Sequence, residues 1–468
     1  MNNATEVSVS ADVLEAFMRH VYEHGIKDAD VIEDADMWRE VLRIINDATV
    51  DGLMQSHVPT LEDNFLRELR HGNEVFAAFK VHTMGSEMQR LLIDESGKLK
   101  PFSKWRDDVE KIASHQCGAW LRTEYDTAVI RAHNAADWKE YERDKDIMPN
   151  LRWMPTTSGE PEAKHRSYWL RRVNLPVDHP FWNEHHPGDR WNCKCTLEQN
   201  DDPIVLPPSD GSDSGATPHQ GLENNPGKDG HIYNDTHPYF PKSCSDCFAN
   251  KGGSLKNRLK LLFRNQKKDC YNCPYIDNHI KLDSKRRQYE QLLADSDYKD
   301  VKFDEKTGGV KATHINHIDH NNEKEQRFFG NLTSSDLENE CQNILYKWGH
   351  TAILQNEYAK SNREQRPPSL DLELDGIIMD IRSITERGHY GNALKAKNKQ
   401  LGNVKRKTGI NSDNVCLYFH DATMFSEEKL IHDMDWYKTN IVEIGSKQRI
   451  RHVYVVVKGE SRLRKYDI

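Results

Sequence analysis

Two pairs of cysteines, a third close pair with nearby histidines, and two aspartates set the chemistry open to this chain. Cys244-Ser245-Asp246-Cys247 and Cys270-Tyr271-Asn272-Cys273 are Cys-x-x-Cys knuckles with 22 residues between them. Each knuckle aims two thiolates at one point, and two knuckles complete the sulfur tetrahedron of a structural zinc. Reduced thiols or an internal disulfide are the competing outcome. Upstream, Cys193-Lys194-Cys195 follows His165, His185 and His186. His165, Cys193, Cys195 and either His185 or His186 offer a second nitrogen and sulfur set. Thiols packed reduced in a turn are the alternative there.

The aspartates are Asp371 and Asp380, which flank Asp375-Gly376, with Arg382 two residues further on. Hard carboxylates across a hairpin suit Mg²⁺. In that arrangement Arg382 is the cation beside the carboxylates, and arginine is poorly suited to orienting water. The same region also supports metal-free chemistry at a phosphodiester. His389 titrates near neutrality and can act as base, with Thr385 beside it. Arg382, Lys395 and Lys399 are then the cations that stabilise the crowded phosphate. From Thr385 to Lys407 there are seven Lys or Arg and one acid, Glu386. That is the local basic patch a nucleic acid needs, and a solvated helix face is the plain alternative. His314, His317 and His320 form a further cluster, read as a metal set, a second base or a loop.

The elements that must position these groups follow from periodicity. A helix over 337–348 puts Leu337, Cys341, Ile344, Leu345 and Trp348 on one side, and Gly349 closes it. A strand follows at 350–355. Alternation on both sides of Asp375-Gly376 predicts a hairpin over 370–383. A helix over 391–404 and apolar strands at 415–419 and 453–457 complete an α+β domain with a small antiparallel sheet. The N-terminal part reads as mainly α. Val13, Phe17 and Val21 share one helix face, as do Trp38, Val41, Leu42 and Ile45. Tyr125, Ala128, Val129 and Ala132 mark the clearest helix, over 106–144, on which Arg122, Glu124 and Arg131 read as solvated charges. Residues 201–230, rich in Pro, Gly, Ser, Asp and Asn, read as a mobile linker. Between the knuckles, Lys251, Lys256, Arg258, Lys260, Arg264, Lys267 and Lys268 alternate with Leu255, Leu259, Leu262 and Phe263. A helix is expected over 284–295.

Length and charge bound the rest. A chain of 468 residues holds about two to four domains. The formal net charge of -9 argues against a wholly nucleic-acid-coating protein, so any such site is local. No apolar run approaches the roughly 18 residues that span a bilayer, and the opening Met1-Asn2-Asn3-Ala4-Thr5-Glu6 lacks the pattern of an export signal.

Two resemblances add to this reading. The words Leu121-Arg122-Thr123-Glu124-Tyr125, Phe76-Ala77-Ala78-Phe79, Phe181-Trp182, and Trp191-Asn192-Cys193-Lys194-Cys195 resemble the phage Mu gpF (MuF) family of head-morphogenesis proteins. That family has Cys-Arg-Cys where this chain has Lys194 in the middle. The resemblance implies a minor head protein that meets portal and capsid proteins, in a virion or in the bacterial cytoplasm. Downstream, Gly349-His350, Leu370 to Gly376, Asp380-Ile381-Arg382 and Ala393 to Gln400 resemble the tRNA nuclease domain of CdiA-type contact-dependent inhibition toxins. They also resemble the Barnase-EndoU-ColicinE5/D-RelE superfamily. The family's Pro-Asp and Glu-x-Lys are here Leu370-Asp371 and Asp380-Ile381-Arg382. This implies a ribonuclease toxin with RNA, such as tRNA, as substrate and an immunity protein as partner. The expected division is a helical region 1–70, a MuF-like domain 71–243, a four-cysteine zinc-ribbon-like module 244–298 and a toxin domain 299–468. The alternatives are a structural head-assembly protein with an inactive C-terminal domain, and a metal-dependent nuclease of the PD-(D/E)xK type using Asp371 and Asp380.

Overall fold

The structure, a computed structural model, describes residues 7–26, 36–58, 60–156, 163–208, 217–248, 268–317, 332–358, 367–385, 388–443, 445 and 447–468. His320 and the basic residues 251–267 between the knuckles lie outside them. The chain divides into two compact units, Met1–Ile280 and Lys281–Ile468. No described helix is long and apolar enough to cross a membrane.

The first unit is built on helices α1 (Ala11–His24), α2 (Asp36–Gln55), α3 (Asp63–Arg90), α4 (Phe102–Ser114) and α5 (Trp120–Asp144). Ser10 starts α1 by accepting from the Val13 amide, one of the orphan donors of a first turn. A π-helical turn, His115–Ala119, joins α4 to α5 within the helix expected over 106–144. Trp38, Phe76, Phe79, Trp105 and Leu121 fill the core. Gly52 lets α2 approach α5 closely, because a Cβ there would stand 2.2 Å from the Val129 carbonyl oxygen. A three-stranded antiparallel sheet follows, with β1 (Asn150–Met154) between β2 (Asn174–Pro176) and β3 (Thr196–Asn200). Its core holds Trp153, Tyr168 and Trp182, with Trp138 from α5.

Three expectations need correction in this unit. The stretch 201–230 is packed over 221–227, whereas 201–206 is largely exposed. Leu222 is fully buried, and Gly227 sits so close to Trp138 that a Cβ would lie 2.3 Å from that residue's own Cβ. Its asparagines serve the interior, since Asn224 and Asn225 are buried and hydrogen-bonded. The second cysteine set is not a free-standing ribbon either. Cys247, Phe248, Cys270 and Tyr271 belong to the helical core. Finally, Glu124 and Arg131 are buried rather than solvated, while Arg122 is exposed and pairs with Asp126 one turn on.

Helix α6 (Pro274–Ala294) follows, and the second unit is a mixed sheet of eight strands. In chain order they are β4 (Tyr298–Phe303), β5 (Val310–His314), β6 (Thr351–Leu354), β7 (Leu372–Leu374), β8 (Ile377–Ile384), β9 (Asn414–Phe419), β10 (His452–Val457) and β11 (Arg464–Asp467). They lie in reverse of that order across the sheet, with parallel pairs β5/β6, β8/β9 and β9/β10. The small antiparallel sheet expected from the sequence is therefore too simple. Helices α7 (Ser334–Lys347), α8 (Tyr390–Thr408) and α9 (Glu427–Glu443) make the crossovers that parallel neighbours require. Strand β9 is buried on both faces. Val415, Leu417 and Phe419 face Leu394, Leu401 and Tyr437 of α8 and α9, while Cys416 and Tyr418 face Leu337, Cys341 and Leu345 of α7. This two-sided burial is why 415–419 and 453–457 read as continuous apolar runs. Asp375 (φ 48°) and Gly376 (φ 82°) form the tight turn between β7 and β8.

Candidate functional site

The α7–β6–β7–β8–α8 stretch brings its polar groups to one cleft of about 710 Å³ in the second unit. Thr333 and Asp336 form a capping box that fixes the start of α7, and Glu338 lies on its first turns, where Ser334 Oγ donates to it at 3.1 Å. Asp371 enters just ahead of β7. Its Oδ2 accepts from the Ile381 amide at 3.0 Å, which locks it across the hairpin beside Asp380. Asp380 points inward from β8 and is fully buried. Arg382, two residues on along the same face, is exposed and lines the cleft with Thr385 and His389.

The partner of the two aspartates is Lys397 of α8. Its Nζ lies 2.7 Å from Asp380 Oδ2 and 3.9 Å from Asp371 Oδ2. Gln400, one turn on, donates to Asp380 Oδ1 at 3.1 Å. Burial and the neighbouring Asp371 hold the Asp380 carboxyl well above its ordinary pKa, against the pull of Lys397. Burial opposes the charge of Lys397, but Asp380 and Asp371 outweigh it and raise its pKa. Burial likewise raises Glu338, with Asp371 adding to it and His317 opposing. The cleft thus gathers more acid than base, and two of its carboxylates compete for one lysine.

The catalytic residues picked from the sequence divide accordingly. Asp371 and Asp380 come together. Arg382, Thr385 and His389 line the same cleft, whereas Lys395 and Lys399 do not. The helix phase explains this. Tyr390, Leu394, Leu401 and Val404 are the buried stripe of α8, and Lys397 and Gln400 flank it, while Lys395 and Lys399 turn away. Arg382 does not take the lysine's place between the carboxylates, because Lys397 already fills it from the helix. His389 is held through Nε2 by buried Asp433 at 3.0 Å, and Asp433 also accepts from the Tyr390 amide at 2.5 Å. His317 is buried near Glu338 and Glu357, whereas His314 lies outside the cleft, against Tyr298.

Among the described residues, three groups place one ligand atom per residue within 4.8 Å of one another: His165, Cys193 and Cys195; His317, Glu338 and Glu357; and His389, His432 and Asp433. In the first, His165 Nδ1 lies 3.3 Å from Cys193 Sγ and 3.8 Å from Cys195 Sγ. Tetrahedral zinc, with Zn–S near 2.3 Å and Zn–N near 2.0 Å, separates such atoms by about 3.5 Å. The far nitrogen of His165 faces buried Asp189 at 2.8 Å, the outer partner that fixes a metal-binding imidazole. His186 is not part of this set. Its nitrogens face the carbonyls of Pro187 and Asn224 at 2.7 and 2.5 Å, beside Arg131. The sulfurs of Cys244, Cys247, Cys270 and Cys273 do not all come within 4.8 Å of one another, so no closed four-sulfur set forms among the described residues.

The first unit has its own cavity, of about 550 Å³, lined by Trp120, Glu124, Trp191, His237 and Tyr239 among others. At its wall Lys80, fully buried, is 2.9 Å from Glu124 Oε2, and the Tyr239 hydroxyl donates to Glu124 Oε1 at 2.7 Å. Arg131 is a clamp. It donates to the carbonyls of Gly188, Leu222, Asn224 and Ile232 and to the Asn224 side chain. No protein-family model, no curated protein and no solved structure matches the chain.

Proposed function

We propose that the second unit is a metal-dependent nuclease, of the PD-(D/E)xK kind, acting on a phosphodiester of a nucleic acid. The observation that carries this reading is Lys397 held between Asp371 and buried Asp380, with Asp371 and Lys397 lining the cleft. Two carboxylates and a lysine are the set such a site needs, and the lysine comes from the helix rather than from the position of Arg382. Hard oxygen ligands on a rigid hairpin suit Mg²⁺ or Mn²⁺. A divalent cation held by those carboxylates would polarise the phosphate and activate a water. Lys397 would then orient that water and neutralise charge on the phosphate. Arg382 and Thr385, at the rim, would hold the flanking backbone.

The metal-free ribonuclease reading is weaker on this geometry. His389 has its Nε2 engaged by Asp433, which also secures the start of α8, and the expected cations Lys395 and Lys399 point elsewhere. The first unit is proposed as the assembly and delivery part, as the MuF resemblance implies, with portal and capsid proteins as its partners. We also propose a structural zinc on His165, Cys193 and Cys195, supported by the 3.3 and 3.8 Å separations. For Cys244, Cys247, Cys270 and Cys273, a zinc is supported by the spacing of the two knuckles alone.

Purified full-length protein, incubated with plasmid DNA, single-stranded DNA and total bacterial RNA, tests the main reading. Cleavage with Mg²⁺ or Mn²⁺, abolished by EDTA and by Asp380→Asn, is the expected result. Cleavage of RNA that persists in EDTA would move the assignment to His389. No cleavage of any substrate would favour a structural head protein. Zinc content of the native protein, compared with Cys193→Ser, tests the metal clasp.

A further inference from the structure

We infer that His317, Glu338 and Glu357 form a second divalent-cation site on the cleft, separate from Asp371 and Asp380. The inference rests on the nuclease reading for its purpose, and on its own geometry for its existence.

His317 follows β5 in a turn fixed by two backbone bonds, from the Ile315 amide to Asp297 and from the His317 amide to His314. Its side chain is 3% exposed. Nδ1 lies 3.1 Å from the Gln355 carbonyl oxygen and 3.0 Å from the Glu357 carboxylate. A carbonyl only accepts, so the neutral ring carries its proton on Nδ1. That leaves a lone pair on Nε2, which is buried, makes no hydrogen bond, and faces Glu338 Oε2 at 3.5 Å. Burial works against a charge on His317, but Glu338 and Glu357 outweigh it and raise its pKa, so the position between Nε2 and Glu338 is one that a proton or a metal ion fills. A metal-binding histidine has this arrangement, with one nitrogen tied to a carbonyl and the other presented to the ion.

The ligand atoms of the three residues are mutually within 4.8 Å. Glu338 and Glu357 both line the cleft, so an ion can enter from it. The same segment couples the two sites. The Gln355 amide donates to the Asp371 carbonyl at 2.9 Å, while the Gln355 carbonyl holds His317. An imidazole among carboxylates favours a first-row ion such as Mn²⁺ or Zn²⁺ over Mg²⁺. The plain alternative is a protonated His317 bridging two glutamates as a structural ion pair.

The test is Mn²⁺ binding to the native full chain, freed of loosely held ions by EDTA and gel filtration, followed by calorimetry and by the electron spin signal of free Mn²⁺. The expected result is two Mn²⁺ per chain, one of them lost in His317→Ala and in Glu357→Gln, and the other lost in Asp380→Asn. Glu357→Gln keeps the side-chain shape, so it answers the question if His317→Ala unfolds. Two ions retained in both His317→Ala and Glu357→Gln would overturn the inference. One ion in the parent chain, lost in Asp380→Asn, would overturn it while leaving the nuclease reading intact. No ion at all would overturn both.

Discussion

Each unit buries a lysine against carboxylate, and the two sites differ in balance. Lys80 meets one carboxylate, Glu124, and Tyr239 completes the set with a hydrogen bond to each of them. Charge is matched there, and the polar atoms answer one another. Lys397 meets two carboxylates, with Glu338 and Glu357 on the same cleft. Two carboxylates share one lysine there, and burial and then Asp371 hold Asp380 well above its ordinary pKa against that lysine. Burial alone therefore does not mark a reactive site. A buried pair that closes on itself holds helices together, whereas one that leaves excess acid facing a cleft invites a cation.

The comparison breaks first at the lysines. Lys397→Ala is expected to lower metal-dependent cleavage by about 10²–10⁴-fold while the protein stays folded, since it removes a group acting on the developing charge and Asp380, already raised, takes up a proton in the lysine's absence. A gel-based cleavage rate and a thermal melt check both parts. Lys80→Ala is expected to do the reverse. It leaves Glu124 buried and unpaired, at a cost of about 3–5 kcal/mol, and leaves the chemistry of the second unit unchanged. If Lys80→Ala abolished cleavage in a folded protein, the distinction between the two sites would fail. The double variant Lys80→Met, Glu124→Leu should recover most of the lost stability, because no unpaired charge remains.

How far the sequence displayed these sites follows from what each depends on. The hairpin was legible because Asp375-Gly376 needs two positive φ values that this pair adopts readily. That turn brought Asp371 and Asp380 together correctly. Lys397 is hard to see because Lys395 and Lys399 share the plainer spacing, and only their phase against the buried stripe of Tyr390, Leu394 and Leu401 separates the three lysines. The phase was available in the sequence. Glu338, Glu357 and His317 were a different case, since they meet only through sheet order that local pattern does not encode. Strand β4, Tyr-Lys-Asp-Val-Lys-Phe, lies at the sheet edge, where charge is tolerated, so it gave no apolar signal. Arg131 read as solvated because its partners are backbone carbonyls of distant segments, which no side-chain pattern announces.

A pH titration sharpens the comparison further. His237, beside Lys80, is depressed to about 3 by burial and then by the lysine's charge. Its Nδ1 accepts from the Tyr239 amide at 3.4 Å, as a neutral ring can. A histidine depressed in the fold contributes stability that is full above its unfolded pKa near 6.5 and is lost as pH falls toward the folded value. The first unit should therefore weaken between about pH 6.5 and 3, by about 2–4 kcal/mol from this residue. His237→Asn should flatten that part of the acid melt, followed by the near-ultraviolet signal of the buried tryptophans. An unchanged slope would show that His237 titrates in the fold as it does in the unfolded chain.

The smallest effect is expected on α5, where two arginines differ as the two lysines do. Arg122 is 52% exposed at its side chain and pairs with Asp126 in solvent, an arrangement worth about 0.3–0.5 kcal/mol. Arg122→Ala should shift the melting temperature by no more than a degree or two. Arg131 is fully buried, and its guanidinium answers four carbonyls. Arg131→Lys keeps the charge but cannot reach the same four acceptors in one plane, so it should destabilise the first unit where Arg122→Lys does not. Equal melts for the two lysine variants would mean that the Arg131 contacts are interchangeable, and that charge rather than the planar fork holds Gly188 and residues 222–232 against the helix.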